Sequence, residues 1–440
     1  MKIRVCLLFL SALVGLGASE LFAQAERPVA FTHAAVIDGN GGVPIEDGVV
    51  VVRGDKIEAV GPANELVIPA DAEVRDVAGK AIMPGLADMH VHFSHGWDGE
   101  SSDLLGYQRY LNALLYAGVT TIMDTGNSLG YIIQVRDEIA AGRLVGPRIY
   151  CAGPLVDGPD PVWPWISYCV NSVEQVPAVV RRLKQDRVDV IKGYAGLSDR
   201  MVAALVQEGR KASLPVLIDQ SWRNGSIELV MADGVTMFAH LPDVPVSAFY
   251  AQGTIGMLKQ RGVKFISTIA VVEVQARRRL ADLSFLDYPL IKDTTPSEIL
   301  EAVRAEARRE LDERGKGSVR RNTERLRDRF ANTKLLFDAG LLVAAGTDAP
   351  YPGVFQGEGI HHELELLVEA GLRPLEAISC ATRSAAQFVG AGEWGVLAPG
   401  KLANLLVING RPDERIQDSR NIETVMLAGR ILDREKLKLR

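Results

Sequence analysis

Residues 82–92 read Ile82-Met83-Pro84-Gly85-Leu86-Ala87-Asp88-Met89-His90-Val91-His92, an apolar run that closes on two histidines one residue apart. Ile82–Met89 has the length and texture of a strand. Residues i and i+2 of a strand point the same way, so His90 and His92 can face one point from one edge. By itself His-x-His is a weak signal; its weight comes from the pattern of the next 260 or so residues. Short apolar runs recur at Val119–Met123, Arg148–Ala152, Val188–Ile191, Val216–Ile218, Val235–Ala239, Val263–Ile269 and Leu341–Ala345. Helix-like stretches such as Ser172–Gln185, Ser198–Lys211 and Ser297–Phe330 separate most of them. Eight strand candidates alternating with helices over roughly 300 residues predict an α/β fold of parallel βα units closed into a (β/α)8 barrel. A doubly wound open sheet is the competitor, but no GxGxxG opens the first unit.

Both flanks have a different texture. Val49-Val50-Val51-Val52 is a β-branched run of strand length, Arg53-Gly54-Asp55 a turn, and Lys56–Val60 the next strand. Beyond Lys401, Asn404–Ile408 and Ile422–Leu427 are strand-like again, broken by Asn409-Gly410 and Gly429. Two β-textured ends around an alternating middle predict a small β-sandwich domain built from residues 26–80 and 397–440, with the barrel over 81–396.

The 440 residues are 47% hydrophobic, 24% charged and 6% aromatic, with a net charge of −6. This is ordinary globular composition and excludes a disordered, collagen-like or coiled-coil chain. The charge leaves no basic footprint for nucleic acid. Residues 1–25 read as a secretion signal: Lys2 and Arg4, an apolar stretch from Val5 to Leu16, then the small-x-small Ala23-Gln24-Ala25. The stretch is short for a membrane span of about 20 residues, so a soluble, exported protein, periplasmic or secreted, is expected after cleavage. An uncut anchor helix is the alternative. Of the four cysteines, Cys6 would leave with the signal. Cys151 and Cys169 could pair in an oxidising compartment, but buried apolar packing is the preferred reading. No CxxC spacing marks cysteine as a metal ligand.

Barrels of this kind present their reactive side chains at the C-terminal ends of the strands. The first run ends in His90 and His92, the fourth in Lys192, the sixth in His240 and the eighth in Asp348. Singly each has a bland reading: Asp348 as a helix cap, His240 as a satisfied core histidine. Together, at the same edge of four strands, they point to a metal site.

Pro84–His92, Ile191-Lys192-Gly193-Tyr194, Gly346-Thr347-Asp348-Ala349 and Ala398-Pro399-Gly400-Lys401-Leu402-Ala403-Asn404 resemble the motifs of the amidohydrolase superfamily. The resemblance is closest to its imidazolonepropionase-like branch, with its Xaa-Pro dipeptidase-like hydrolases. It implies that His90, His92 and Asp348 hold one metal and His240 a second. Lys192 would be carboxylated and bridge them, since an ammonium beside a dication is repelled whereas a carbamate is an anionic ligand. One or two divalent ions are implied, zinc first and manganese as the alternative. The metals would acidify a bridging water, and Asp348 would carry its proton to the leaving nitrogen.

One position departs from the pattern. The fifth strand should end in histidine, but Leu214–Ile218 is followed by Asp219, and no histidine lies between His95 and His240. Asp219 could replace it as an oxygen ligand, shifting preference toward harder ions such as manganese. Otherwise the second site is weakened and one metal suffices, or the chain is a non-catalytic small-molecule binder.

Weaker candidates surround this set. Tyr194 at the mouth and Arg223 after Asp219 could meet a substrate carbonyl or carboxylate, although rim packing and solvation explain them as well. His95 reads as loop structure more than ligand. His361 and His362 read as an exposed helix start, and His33 lies away in the β-domain. Arg-rich Asp293–Lys334 reads as a long solvated helix pair rather than a mobile cap, because both charge signs are interspersed. The function expected is an exported, metal-dependent hydrolase of a C–N amide bond. Its expected substrate is a small N-acyl amino acid or dipeptide, with a cyclic amide or lactone as runner-up and a homo-oligomer allowed.

Overall fold

A computed structural model describes residues 27–93, 95–219, 234–242, 245, 253–313 and 316–439. Strands from both flanks form one eight-stranded sheet. Its spatial order is Arg430–Ile431, Ile422–Leu427, Leu405–Ile408, Ala81–Pro84, Val29–Val36, Ile45–Arg53 and Lys56–Pro62, with Glu73–Asp76 added parallel to Val29–Val36. The Val49–Val52 run is buried on both faces because successive strand residues point to opposite sides. Val50 and Val52 pack with Phe31, Ile82 and Met426, whereas Val49 and Val51 pack with Ala30 and Ala72. The C-terminal flank joins through antiparallel pairing of Leu405–Ile408 with Ala81–Pro84.

The single strand expected over Ile82–Met89 is two. Ala81–Pro84 belongs to the terminal sheet and Leu86–Val91 opens the parallel series. Gly85 is the break. Its amide donates to Asn404 O at 2.9 Å, and a Cβ there would lie 2.4 Å from Thr120 Oγ1, so only glycine lets the chain pass.

Eight parallel strands correspond to the expected runs: Leu86–Val91, Val119–Asp124, Arg148–Cys151, Ile191–Gly193, Val216–Ile218, Met237–Phe238, Lys264–Ile266 and Leu342–Ala344. The first three form one sheet. The other five, with Leu155–Asp157 and Ser167–Cys169, form a seven-stranded sheet. Asp189 N donates to Cys151 O at 2.9 Å along one seam; Met89 N to Ala345 O at 3.0 Å and His92 N to Ala349 O at 2.8 Å run along the other.

Alternation sorts the side chains of these strands. Val216 and Ile218 pack outward with Leu205 and Val202 of the helix Asp199–Ala212, while Leu217 faces the inner cluster of Met89, Met123 and Met237. That helix starts at Ser198, whose hydroxyl accepts from Met201 N, and buries Met201, Val202, Leu205, Val206 and Gly209 at helical spacing. Ile191 also packs outward, so its neighbour Lys192 points in. The fourth strand lies later than Val188–Ile191, and Lys192 is its middle residue.

The charged stretch is a helix pair, Ser297–Glu313 and Lys316–Asp338, as expected. Arg329 departs from the solvated reading, being 1% exposed. Among the described residues, no helix is long and apolar enough to cross a membrane. Cys151, Cys169 and Cys380 are all free, so the 151–169 pairing is not made.

Candidate metal centre

His90 and His92, at the end of the first parallel strand, aim their Nε2 atoms at one oxygen. Asp348 Oδ1 lies 3.2 Å from His90 Nε2 and 3.1 Å from His92 Nε2. The outer ring nitrogens face carbonyls: His90 Nδ1 is 3.1 Å from Ala239 O and His92 Nδ1 is 3.2 Å from Gly126 O. A carbonyl only accepts, so both rings carry a proton on Nδ1, which leaves Nε2 as the atom open to a metal. Asp348 holds a left-handed φ of +65°, unusual for a residue with a side chain. The eighth-strand backbone runs close enough here that a Cβ on Gly346 would sit 2.9 Å from His90 Cβ.

Lys192, Asp219 and His240 form a second group beside the first. Asp219 Oδ2 lies 3.2 Å from Lys192 Nζ and 3.1 Å from His240 Nε2. The His240 and His90 rings have centroids 4.7 Å apart. Ligand atoms of His90, His240 and Asp348 all lie within 4.8 Å of one another. His90 Nε2 and Lys192 Nζ each lie within ion-pair distance of a carboxylate, yet both are buried without a properly directed hydrogen bond. A buried polar atom left so costs about 1–3 kcal/mol. Their convergence with two carboxylates is a donor set that a divalent cation fits.

Burial, reinforced by the nearby Lys192 charge, pushes His90 down to about 3. Desolvation favours the acid form of half-buried Asp348, yet the His90 and His92 imidazoles outweigh this and hold it well below the usual carboxylate range. Two further acids escaped the sequence reading. Asp88 accepts from Thr347 Oγ1 at 2.6 Å and from Thr347 N at 3.0 Å, and burial raises it to about 7. Asp124 accepts from Phe93 N and Asn127 Nδ2, both at 2.8 Å, and supports the loop that supplies Gly126 O to His92. As the last residue of the second strand, Asp124 carried the same signal as Lys192 and His240.

His90, His92, Asp348, Asp219 and His240 line a cavity of about 460 Å³ that Leu155, Trp163, Tyr194, Gln275 and Arg325 also wall. Tyr194 Oη accepts from Trp163 Nε1 at 3.1 Å. A larger depression of about 670 Å³, around Gln134, Trp165 and Arg182, contains none of the expected site residues. Arg223 lies outside the described residues.

Of the remaining histidines, His95 lines the same cavity, with its Nε2 buried without a hydrogen bond. His95 donates from Nδ1 to Gly99 O at 3.0 Å and stacks on His92 with centroids 4.8 Å apart. The exposed helix start expected at His361 and His362 is buried instead. Helix Glu358–Glu369 packs its first turns inward, placing His361 between Ser419 Oγ and Ala117 O, both at 2.9 Å, and His362 against Glu273. His33 is exposed beside Asp76.

Residues 81–432 match the Amidohydrolase family. An imidazolonepropionase from Methylobacterium nodulans is 25% identical over 53% of this chain and 70% of its own. Among solved structures, a candidate prolidase from Bifidobacterium longum superposes with a TM-score of 0.74 at 24% identity, covering 93% of this chain and 95% of that one. A Xaa-Pro dipeptidase with methionine bound in its active site gives a TM-score of 0.71 at 20% identity, covering 92% of this chain and 99% of that one. The family match spans both the parallel strands and the C-terminal strands of the terminal sheet. The chain belongs to the amidohydrolase family, and with that it is an enzyme of hydrolytic carbon–nitrogen bond cleavage.

Proposed function

We propose that this is an exported hydrolase of small N-acyl amino acids or dipeptides, working with divalent metal at the mouth of a closed (β/α)8 barrel. The hydrogen bonds along both seams of the parallel sheets support closure. The observation that carries the reading is the convergence of buried His90 Nε2 and Lys192 Nζ, neither of them hydrogen-bonded, on Asp348 and Asp219, which line one cavity. His90, His92 and Asp348 are the first ligand group; Lys192, as its carbamate, Asp219 and His240 are the second. Divalent metal held there would acidify water and polarise the scissile carbonyl. Asp348, beside both imidazoles, would take the proton and deliver it to the leaving nitrogen. Trp163 and Tyr194 offer an apolar wall with a phenol for the acyl side. A prolidase-like and a dipeptidase-like neighbour favour a peptide or acylated amino acid over a cyclic amide or lactone.

A second reading has its own observation. With Lys192 as an ammonium, its 3.2 Å contact with Asp219 is an internal ion pair, and only the His90–His92–Asp348 group remains for metal. Elemental analysis of the mature protein separates the two, with about two metals per chain expected for the first and one for the second. A ratio well below one after incubation with zinc or manganese and bicarbonate overturns both. A hydrolysis screen over N-acyl amino acids and dipeptides then tests the substrate class.

A further inference from the structure

Thr268 follows the seventh parallel strand, Lys264–Ile266, and nothing in the sequence singles it out. Its backbone holds φ +43°, an outlier for a β-branched residue. Two clamps fix this corner. From the helix Glu358–Glu369, the Glu363 carboxylate accepts from Ser267 Oγ and from the amides of Ile269 and Ala270 at 2.9 and 2.8 Å. From the helix Lys316–Asp338, Arg329 Nη1 lies 3.3 Å from Ser267 O, 3.4 Å from Thr268 O and 3.2 Å from Thr268 Oγ1. All three side chains are buried. Strained backbone persists where its surroundings over-determine it, and it gathers at functional positions. This corner sets the Thr268 hydroxyl 2.6 Å from His240 Nδ1.

The chemistry of that contact differs from its counterparts at His90 and His92. Their outer nitrogens meet carbonyls, which accept only, so their tautomers are locked. His240 meets a carboxylate on Nε2, at 3.1 Å from Asp219, and a hydroxyl on Nδ1. Without metal, Asp219 requires the proton on Nε2, and the Nδ1 lone pair then takes the threonine hydrogen. A metal on Nε2 requires the lone pair there, so the ring's one proton must move to Nδ1 and be accepted. A hydroxyl can serve both states, being one donor and two lone pairs.

We propose that Thr268 is the positioning residue for His240, its hydroxyl donating to Nδ1 while Asp219 holds Nε2–H and accepting from Nδ1–H when Nε2 serves a metal. This rests on the reading of His240 as a metal ligand. The test uses the full mature chain with two substitutions. Thr268→Gly removes the hydroxyl while tolerating φ +43°, so the fold is not strained by the change; Thr268→Ser restores the hydroxyl. Zinc affinity, measured by competition with a chelating dye, should fall about 10- to 100-fold in Thr268→Gly and return to within a few-fold of wild type in Thr268→Ser. Long-range ¹H–¹⁵N spectra should place the His240 proton on Nε2 without metal and on Nδ1 with zinc. Wild-type affinity in Thr268→Gly, a serine variant as weak as the glycine one, or a proton on Nδ1 in both states overturns the proposal alone. Failure of the wild type to take up zinc or manganese overturns the metal reading and this inference with it.

Discussion

One oxygen of Asp348 faces two imidazole nitrogens at 3.2 and 3.1 Å, which makes this residue the one whose charge the site most depends on. Asp348→Asn keeps the shape and removes the anion. It should lower kcat about 10²- to 10⁴-fold with little change in thermal midpoint, read by steady-state kinetics on the best substrate of the screen. Asp219 gives a prediction of the opposite kind. Asp219→His supplies the nitrogen ligand found in the family pattern and removes the partner of Lys192. Metal per chain should hold or rise under zinc, by elemental analysis; a fall would mean that the aspartate is needed as it stands. At this scale the sequence was informative where a reactive side chain lay at or near the end of an apolar run: His90, His92, Lys192, Asp219, His240 and Asp348 all come together. Thr268 and Arg329 were not legible, because their contacts cross between elements 61 residues apart and no local pattern encodes them.

At the scale of elements, periodicity gave the strands and helices but not their breaks. Ile82–Met89 reads as one apolar strand because proline and glycine at 84 and 85 are its only punctuation, and the break is decided by the approach of Thr120 from the next strand. The fourth strand starts later than the Val188–Ile191 run because hydrophobicity marks burial, whereas pairing with Val216–Ile218 sets the register over Ile191–Gly193. Gly85→Ala tests the first point. A Cβ 2.4 Å from Thr120 Oγ1 forces one of two packed strands to move, which should cost about 1–3 kcal/mol in urea unfolding. The double variant with Thr120→Gly should recover part of that loss.

On the scale of the whole molecule, a buried ionic cluster ties the C-terminal segment to the parallel strands. Glu358 lies 2.9 Å from Arg279 Nη2 and 3.0 Å from Arg420 Nη2, and is fully buried. Burial pushes this acid up, but the two guanidinium groups prevail and bring it from 4.5 down to about 2. Its folded value is therefore below its unfolded one. The stability it contributes, on the order of 3 kcal/mol, is complete above the unfolded value and is lost as pH falls from about 4 through about 2. Glu358→Gln should destabilise by about 3–5 kcal/mol at pH 7, since it leaves buried Arg279 without its carboxylate, while Arg420 keeps Glu365. The gap between variant and wild type should narrow toward pH 3 in urea midpoints.

The terminal sheet has a consequence in time as well as space. Ala81–Pro84 lies between Val29–Val36, made early, and Leu405–Ile408, made much later. A nascent chain therefore carries its first strands with one edge unpaired until about three hundred further residues, the length of the parallel-strand region, have left the ribosome. A premature stop before residue 405 would yield an aggregation-prone strand edge rather than a shorter enzyme, and a segment synthesised far later is what lets the first one settle.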